Sequence, residues 1–380
     1  MTSSSGSSRT ADVIVIGGGI IGCSIALRLT QANLKICVLD RGTPGAEASS
    51  AAAGMIAPQS ESVEPSEFFE LCAASRDLYP TFVAEIEEVS GQNAGFRREG
   101  TLLVATSDEE NIELSKIYDG QMERGLPLEK LSGNDVRSRS AGLSLEILAG
   151  LFVQHDHWVN NERLMQALVE SCRRSGVIIH DGTRVTQIEQ RGNRVESVTA
   201  VAASGADAIT FSGQHFVLTA GCWSGELTAS LGIKLPLKPC RGQLIEFEAL
   251  AELPLVVRSG HHYLVPRSPR RILAGTTSEY VGFEKEVTGE GLRSILEGVS
   301  RFAPLVKDLR FRRAWAGLRP DTADHLPVLG RGEIENLLFA TGHFRNGILL
   351  APITAQLTAE LITTGSTSRS IEAYRPGRFV

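Results

Sequence analysis

The stretch that decides the fold runs from residue 12 to residue 42 and reads "DVIVIGGGIIGCSIALRLTQANLKICVLDRG". Residues 13–16 are all apolar and predict a short buried strand. Three consecutive glycines follow, and the next residues place apolar side chains at helical spacing. Residues 36–39 predict a second strand. The order strand, tight turn, helix, strand is typical of the first unit of a Rossmann-like nucleotide-binding fold.

The glycine spacing in this unit matches a dinucleotide-binding turn. Gly17 permits the sharp turn, Gly19 lets the backbone approach a pyrophosphate, and Gly22 lets the helix pack on the strand. The start of the helix then offers free N–H groups and a positive dipole end to the phosphates. Asp40, which ends the second strand, is placed to accept hydrogen bonds from a ribose. A purely structural glycine turn is the alternative, but the strand, helix and acidic residue around it favour a dinucleotide site.

The next stretch favours FAD over a nicotinamide cofactor. In the usual nicotinamide fold further strand–helix units follow at once, whereas here the chain enters "GAEASSAAAGMIAPQSE", residues 45–61. This stretch is rich in alanine, serine and glycine, which suggests backbone lying close against a flat ligand. A tightly packed helix start is the alternative.

The composition excludes several classes of protein. The chain has 380 residues, which is more than one core normally holds, so two domains are expected. With 38 basic and 44 acidic residues the net charge is −6, and no charged block suggests nucleic acid as a partner. The six cysteines fit neither a zinc site nor a disulfide framework, so no metal is expected. The cysteines are expected to be reduced thiols in a cytoplasmic protein. The glycine-interrupted apolar run after the polar N-terminus is a poor membrane span or signal peptide.

The rest of the chain predicts an α/β fold in which the nucleotide-binding domain is discontinuous. A mixed or antiparallel sheet is expected from about residue 236 to 283, where strand patterns follow one another, and this sheet belongs to an α+β substrate domain. The predicted division is a disordered N-terminus at 1–10, an FAD-binding domain at 11–90, 151–232 and 318–366, a substrate-binding domain at 91–150 and 233–317, and a tail at 367–380.

Five stretches spread along the chain resemble one known family. They are "VIGGGIIG", "SSAAAGMIAP", "HHYLVPR", "WAGLRPDTADHLPVLG" and "FATGHFRNGILLAP". Together they resemble the amino-acid oxidases of the D-amino-acid oxidase and sarcosine oxidase family, and most closely its glycine oxidase branch. The spacing of "AGLRP" and "GHFRNGILLAP" is the most specific part of this resemblance.

The resemblance implies which residues border FAD. They are the glycine loop with its neighbours, an acid–base pair after the second strand, the small-residue segment, one backbone position at the adenine end, and a segment along the flavin ring. These residues are Gly17, Gly19, Ile20, Ile21, Gly22, Asp40, Arg41, Ala48, Ser49, Ala53, Gly54, Met55, Val185, His343, Phe344, Arg345, Asn346, Gly347, Ile348 and Leu349. The helix that begins near Asn346 is expected to direct its N-terminus at the pyrimidine side of the flavin, where negative charge develops on reduction.

The resemblance also implies how the substrate is held. Arg319 pairs with the substrate carboxylate, Tyr263 helps to hold it, and Arg345 lies at the substrate. The residues around Arg319 support this role, because a tryptophan, a glycine and a proline place it in a turn, whereas the rival arginines at 310, 312 and 313 look like a solvated strand edge. Tyr263 as a core residue and Arg345 as the partner of a core carboxylate are the alternatives. His261 is at best part of the pocket lining, since hydride transfer needs no side-chain base.

The activity implied is oxidative deamination of glycine and other small amines or D-amino acids. A hydride passes from the substrate Cα to flavin N5, the imine is hydrolysed to a 2-oxo acid and ammonia, and oxygen reoxidises the flavin to give hydrogen peroxide. The expected role is supply to thiamin thiazole synthesis, by a homo-oligomer without membrane contact. The flavin is expected to be non-covalent, because no cysteine follows Cys240 and no histidine precedes His155. Ser278 stands where the family pattern has a methionine, and this smaller side chain is expected to let the pocket admit larger D-amino acids.

Four other functions remain open at this point. A D-amino-acid or sarcosine oxidase or dehydrogenase of broader specificity would use the same site. An amino-acid dehydrogenase that passes electrons to a membrane quinone would keep the same fold. A non-catalytic flavin-binding protein would keep the cofactor without turnover. A nicotinamide dehydrogenase is the most distant alternative.

Overall fold

The computed structural model describes residues 8–61, 65–205, 208–249, 253–267 and 270–379. They form two large sheets, one small sheet and the helices that cover them. The strands are β1 (Ser8–Ile16), β2 (Ile36–Leu39), β3 (Met55–Ile56), β4 (Phe96–Arg97), β5 (Thr101–Ala105), β6 (Glu129–Ser132), β7 (Ala149–Val153), β8 (His157–Val159), β9 (Ile178–His180), β10 (Thr183–Arg191), β11 (Arg194–Ala202), β12 (Ile209–Leu218), β13 (Lys238–Glu248), β14 (Val256–Ser259), β15 (His262–Arg267), β16 (Arg271–Gly275), β17 (Arg310–Asp321), β18 (Val328–Arg331) and β19 (Leu337–Thr341). The helices are α1 (Ile20–Thr30), α2 (Ala48–Ala51), α3 (Pro58–Glu61), α4 (Glu67–Ser90), α5 (Asp108–Glu123), α6 (Gly133–Arg139), α7 (Asn161–Arg174), α8 (Ser224–Ala229), α9 (Gly289–Phe302) and α10 (Gly347–Thr363).

The first large sheet is built around the N-terminal unit. Its order is β10-β11-β12-β1-β2-β9, and β19 pairs with both β12 and β18. β1 is parallel to β2 and to β12, and β19 is parallel to β12. Helices α1, α4, α7 and α10 bury their apolar residues in one shared core against this sheet. The parallel centre and the helical cover confirm the expected Rossmann-like fold.

The second large sheet has the order β17-β13-β16-β15-β14-β5-β7-β6. Its neighbouring strands are antiparallel except for β14 and β5, which are parallel, so the sheet is mixed as expected. Helix α9 packs Ile295, Val299 and Phe302 into the core on one face. The small third sheet, β3-β8-β4, carries the end of the small-residue segment.

The strands of the first sheet come from three separate stretches of chain, with those of the second sheet between them. The division into domains remains a prediction, but two of its boundaries need to move. The boundary at 150/151 falls inside β7, and the boundary at 317/318 falls inside β17. A continuous paired strand belongs to one sheet, because its backbone hydrogen bonds are made there.

Described residues near both chain ends belong to the folded structure. Residues 8–10 belong to β1 and pair with residues 210–212 of β12, although the N-terminus was expected to be disordered to residue 10. Backbone pairing does not depend on apolar side chains, which is why a polar start can still extend a strand. Residues 1–7 lie outside the described residues. Ile371 and Tyr374, which lie in the predicted tail, are buried in the core that α1, α4, α7 and α10 share.

Within the described ranges, no helix combines the length and the apolar character that a bilayer crossing requires.

Candidate functional site

Both large sheets line one cavity of about 1100 Å³. Most of the site residues predicted from the sequence line this cavity. Those that line it are Gly17, Gly19, Ile20, Ile21, Asp40, Arg41, Ala48, Ser49, Ala53, Gly54, Met55, Val185, His261, Tyr263, Arg319, His343, Phe344, Arg345, Gly347 and Ile348. Gly22 lies behind the wall, and Asn346 and Leu349 line a neighbouring cavity of about 460 Å³.

The glycine loop turns sharply between β1 and α1. Gly17 has φ +114°, and a Cβ there would lie 2.5 Å from the carbonyl oxygen of Thr219. At Gly22 a Cβ would lie 1.9 Å from the carbonyl oxygen of Gly17, which is closer than any real contact. Thr219 closes the loop from the other side, because its hydroxyl donates to the Gly17 carbonyl at 2.7 Å. The turn is therefore fixed by direct contact of three backbone segments.

The start of α1 faces the cavity, and in its first turn the N–H groups of Ile21 and Gly22 have no acceptor among the described residues. Gly19 caps the helix without a side-chain hydrogen bond, and Ser49 accepts from the N–H of Ile20 at 2.9 Å. Asp40 accepts from the N–H of Gly18 at 2.7 Å and from that of Gly42 at 2.8 Å. Each carboxylate oxygen has two lone pairs, so Asp40 keeps acceptor sites for a ribose while it braces the loop.

A second helix, α10, begins at the cavity. Gly347 and Ile348 line the wall, and Asn346 at the cap makes no side-chain hydrogen bond to the helix. Pro352 has no N–H for the Ile348 carbonyl, and the hydroxyl of Tyr79 donates to that carbonyl at 2.7 Å instead. Ser75 donates to the Leu349 carbonyl at 2.6 Å. Helix α4 therefore anchors the first turn of α10, whose positive dipole end is directed at the cavity.

His343 lies at the turn before α10 and is buried. Its Nε2 lies 3.0 Å from the hydroxyl of Thr354. Burial lowers the pKa of the His343 imidazole from 6.5 to about 3, so the ring is neutral at physiological pH. The side chain is therefore a neutral hydrogen-bonding group at the cavity wall.

The low pKa of His343 predicts a pH-dependent stability. Between pH 3 and pH 6.5 the unfolded chain binds a proton at this ring that the folded chain does not, so the ring's contribution is complete above pH 6.5 and is lost as the pH falls. His343→Gln is expected to reduce the pH dependence of the unfolding free energy by about 1.4 kcal/mol per pH unit within that window. Urea unfolding at several pH values measures it, and parallel curves for the two proteins would contradict it.

Arg319 lies on β17, paired with β13, and not in the turn that its neighbours suggested; β17 is the end strand of its sheet, where glycine and proline are tolerated. Its guanidinium is at the cavity wall. Nη1 donates to the Thr277 carbonyl at 3.0 Å, and Nη2 donates to the Thr276 hydroxyl at 2.8 Å. Within the described ranges no carboxylate forms an ion pair with it. Gly242 on β13 makes room for it, since a Cβ there would lie 2.2 Å from Nη2. A half-buried guanidinium held by neutral groups is suited to bind an anionic ligand.

Tyr263 and His261 lie near the same wall but differ in exposure. Tyr263 is buried, and burial raises the pKa of its phenol, so the hydroxyl stays a neutral donor. A Cβ on Gly275 would lie 2.6 Å from that hydroxyl, so the glycine keeps the space open. His261 is exposed in the turn before β15. Of the two, only Tyr263 is held in a fixed position by its surroundings.

Arg345 has a protein partner. Its Nη2 lies 3.3 Å from Oε2 of Glu61, whose other oxygen lies 3.7 Å from Nη1 of Arg258. The Arg345 side chain is 40% exposed. The sequence contained no sign of Glu61 as the partner, and the arginine is neither fully buried nor free of a carboxylate.

A layer of side chains near Arg41 was not predicted from the sequence. The Arg41 guanidinium lies 3.4 Å from the centre of the Trp223 ring, and Phe283 packs on that ring at 5.5 Å. Glu47 pairs with Arg41 at 2.7 Å and with Lys285 at 2.8 Å. Apart from the Arg41–Glu47 pair, these contacts join segments far apart in the chain, so no local signal could have revealed them.

The cavity fits FAD on its own geometry. The glycine loop would collide with a Cβ at Gly17 and Gly22, the start of α1 offers N–H groups, and Asp40 lies beside it as a ribose acceptor. The start of α10 faces the same cavity far from α1 in the chain. One helix N-terminus thus suits a pyrophosphate and the other the electron-rich part of a flavin. The fold and this site define a dinucleotide-binding oxidoreductase.

The chain belongs to the FAD dependent oxidoreductase family designated DAO, whose model matches residues 12–361. FAD is therefore its cofactor, and the recognition made from five short stretches is confirmed.

Two kinds of relative are similar to the chain. A bifunctional protein ThiO/ThiG from Trichormus variabilis is 34% identical over 97% of the chain and 55% of its own length. The chain thus spans about half the length of these bifunctional relatives. A glycine oxidase from Geobacillus kaustophilus is 31% identical over 97% of both chains.

Solved structures show the same likeness. The crystal structure of glycine oxidase from Geobacillus kaustophilus superposes with a TM-score of 0.92 at 29% identity, covering 98% of this chain and all of that one. Glycine oxidase from Bacillus cereus gives a TM-score of 0.87 at 30% identity, with 95% and 99% covered.

Non-covalent attachment of the flavin remains a prediction, and the cavity makes it testable. Cys222 lines the cavity, but burial raises the pKa of its thiol to about 12, which leaves no thiolate to attack a flavin. Acid precipitation of the purified protein is expected to release all yellow colour into the supernatant. Colour that stays in the pellet would show a covalent link, and Cys222→Ser would identify its site.

Proposed function

We propose that the protein is an FAD-dependent amino-acid oxidase that deaminates glycine and other small amines or D-amino acids. The observation that carries the proposal is Arg319, a guanidinium at the cavity wall held only by neutral groups among the described residues. Its partner in the reaction is the carboxylate of the substrate, which a planar guanidinium binds through two hydrogen bonds. The likeness to glycine oxidases supports the choice of substrate.

The chain's own residues position the substrate. Arg319 binds the carboxylate, and the neutral hydroxyl of Tyr263 donates a further hydrogen bond to it. Held in this way, the amine and Cα extend into the cavity towards the start of α10. When bound, FAD supplies the acceptor for the hydride that leaves Cα, and oxygen is then reduced to hydrogen peroxide. The imine product is then hydrolysed to the 2-oxo acid and ammonia.

Two further groups adjust the charge of the site. The N-terminus of α10 and Arg345 contribute positive potential on the side where electrons arrive. Glu61 balances Arg345 at the rim, so the net effect at this point depends on both side chains. His343 stays neutral and adds no charge.

Two measurements test the proposal. Under air, glycine is expected to yield hydrogen peroxide in step with ammonia. Without oxygen, glycine is expected to bleach the flavin absorbance. A protein that bleaches with glycine but makes no peroxide is a dehydrogenase. One that does neither with glycine, D-alanine or D-leucine is a flavin-binding protein without turnover, and either result refutes the oxidase proposal.

A broader oxidase of D-amino acids is the second candidate, and the cavities favour it at one point. Ser278 lines both the main cavity and the neighbouring one, and its hydroxyl lies 3.2 Å from the thiol of Cys240. The neighbouring cavity is partly apolar, with Phe68, Phe69 and Leu349 in its wall. A small side chain at 278 therefore leaves a way for a substrate side chain to extend beyond the glycine-sized space.

Ser278→Met is expected to narrow the substrate range. The longer side chain fills the opening between the cavities, so kcat/KM for D-leucine falls by roughly tenfold or more relative to that for glycine. Peroxide formation with glycine, D-alanine and D-leucine measures it. Ser278→Ala, which keeps the opening, is the matched control, and equal ratios in all three proteins would contradict the prediction.

The cellular setting is also part of the proposal. The ThiO/ThiG relatives, by name, point to supply of thiamin thiazole synthesis, and the chain is proposed to work in the cytoplasm as a dimer or tetramer. Light scattering of the purified protein measures the oligomeric state. A strain that lacks the gene and needs added thiazole for growth would support the role in thiamin thiazole synthesis.

A further inference from the structure

A second set of contacts lies behind the small-residue wall of the cavity. Between Ser49 and Gly54 five backbone carbonyls accept hydrogen bonds from outside the segment. Asn161 donates from Nδ2 to the Ser49 carbonyl at 2.7 Å and to the Ser50 carbonyl at 2.9 Å. Trp315 donates from its indole to the Ala51 carbonyl at 3.1 Å.

The other two carbonyls are bound in the same way. Arg267 donates from Nη2 to the Ala53 carbonyl at 2.8 Å, and the backbone N–H of Val159 donates to the Gly54 carbonyl at 2.8 Å. Arg267, Asn161 and Trp315 come from β15, α7 and β17, and none of them lines the cavity. The donors therefore act on the wall from behind.

Arg267 is unusual for a buried charge. Its side chain is fully inside the protein, and its other hydrogen bonds go to the Val159 carbonyl at 3.1 Å and to Oδ1 of Asn161 at 2.5 Å. In the parts of the chain that are described, no carboxylate pairs with it, and burial lowers its pKa to about 10. A buried guanidinium without a counter-ion costs stability, so its presence calls for a role beyond packing.

The donors behind the wall determine which backbone groups of residues 49–54 remain available to the cavity. Carbonyls that are bound from behind cannot present their negative ends to the cavity. The N–H groups of Ala52, Ala53 and Gly54 have no acceptor among the residues described, and all three residues line the cavity. Five of the six carbonyls from Ser49 to Gly54 are thus engaged, and the last three N–H groups have no acceptor among the described residues, which suits a ligand with acceptor atoms at its edge.

We propose that Arg267 and Asn161 are positioning residues that fix residues 49–54 so that this segment offers backbone donors to the acceptor edge of bound FAD. The same network reaches the start of α1, because Ser49 accepts from the Ile20 N–H. Arg267 lies on the strand of Tyr263 and on the same face, so the network also ties the cofactor wall to the substrate wall. The inference rests on FAD binding and stands whichever amine is the substrate.

The test uses FAD affinity and the flavin spectrum of the whole protein. Arg267→Met is expected to raise the dissociation constant for FAD roughly tenfold or more, because charge-assisted hydrogen bonds to the wall are lost. It should also shift the long-wavelength flavin band, which a loss of stability alone would not do. Arg267→Lys keeps the positive charge and can still donate to one side, so it should recover part of the affinity for FAD.

Two further variants keep the test decisive. Arg271→Met removes a positive charge from the position opposite Arg267 on β16, where the side chain pairs with Glu246 rather than the wall, and should leave FAD affinity within about twofold. Asn161→Asp keeps the shape but replaces the donor to Ser49 and Ser50 with an acceptor, so it should weaken FAD binding even if Arg267→Met does not fold. Unchanged affinity and spectrum in Asn161→Asp, or in a folded Arg267→Met, would overturn the proposal.

Discussion

Arg319→Ala is expected to lower kcat/KM for glycine by roughly 10²- to 10⁴-fold while the protein stays loaded with FAD. The guanidinium is held in place by Thr276 and Thr277 at the cavity wall, so its removal leaves the substrate carboxylate without its charged partner. The glycine loop and the starts of two helices, which we propose bind FAD, are not touched by this change. Peroxide formation with varied glycine measures the activity, and flavin absorbance per protein measures the loading.

The controls separate this effect from a general loss of charge. Arg312→Ala removes an arginine from the same strand whose side chain is 52% exposed, and it should change kcat/KM by no more than about twofold. Gly242→Ala leaves Arg319 in the sequence but puts a methyl group where its guanidinium lies, so it should reproduce part of the loss. Turnover by loaded Arg319→Ala at the unmodified rate and apparent affinity would refute the substrate-binding role.

Gly22→Ala is expected to raise the dissociation constant for FAD by roughly a hundredfold or more. The added Cβ would lie 1.9 Å from the Gly17 carbonyl and 2.7 Å from the Thr219 hydroxyl, so α1 must move away from the turn that we propose binds the pyrophosphate. The Gly17 oxygen is backbone of the loop that cannot rotate aside, and the Thr219 hydroxyl is held by its hydrogen bond to that oxygen. Titration of flavin-free protein with FAD, followed by fluorescence quenching, measures the constant.

The matched control for this change is Gly289→Ala. Gly289 also lies in the first turn of a helix, but a Cβ there meets no atom within 4 Å. It should bind FAD normally and unfold at the same temperature or slightly above, since alanine favours helix. Normal FAD binding by Gly22→Ala would mean that the loop has more room than its contacts indicate.

The parts of the fold that could be predicted are those with local signals. The N-terminal unit combines an apolar strand, spaced glycines and an acid at the end of the next strand, and each element restricts the others. Arg319 could be selected because its neighbours exclude an amphipathic face. The mixed sheet was visible as successive strand patterns in one region.

The parts that could not be predicted depend on partners far away in the chain. Glu61 pairs with Arg345 across 284 positions, and Asn161 holds Ser49 across 112. Gly242 looks like an ordinary glycine within a strand until the opposite strand places a guanidinium over it. The boundaries inside β7 and β17 were misplaced for the same reason, because only the pairing shows to which sheet a strand belongs.

The interleaved path of the chain has a consequence for its biosynthesis. The glycine turn emerges from the ribosome early, but β19 and α10, which complete the cavity, lie at residues 337–363. Until those residues have left the exit tunnel, the nascent chain holds only part of its cofactor site. Flavin insertion is thus a late event, and truncated products should emerge colourless.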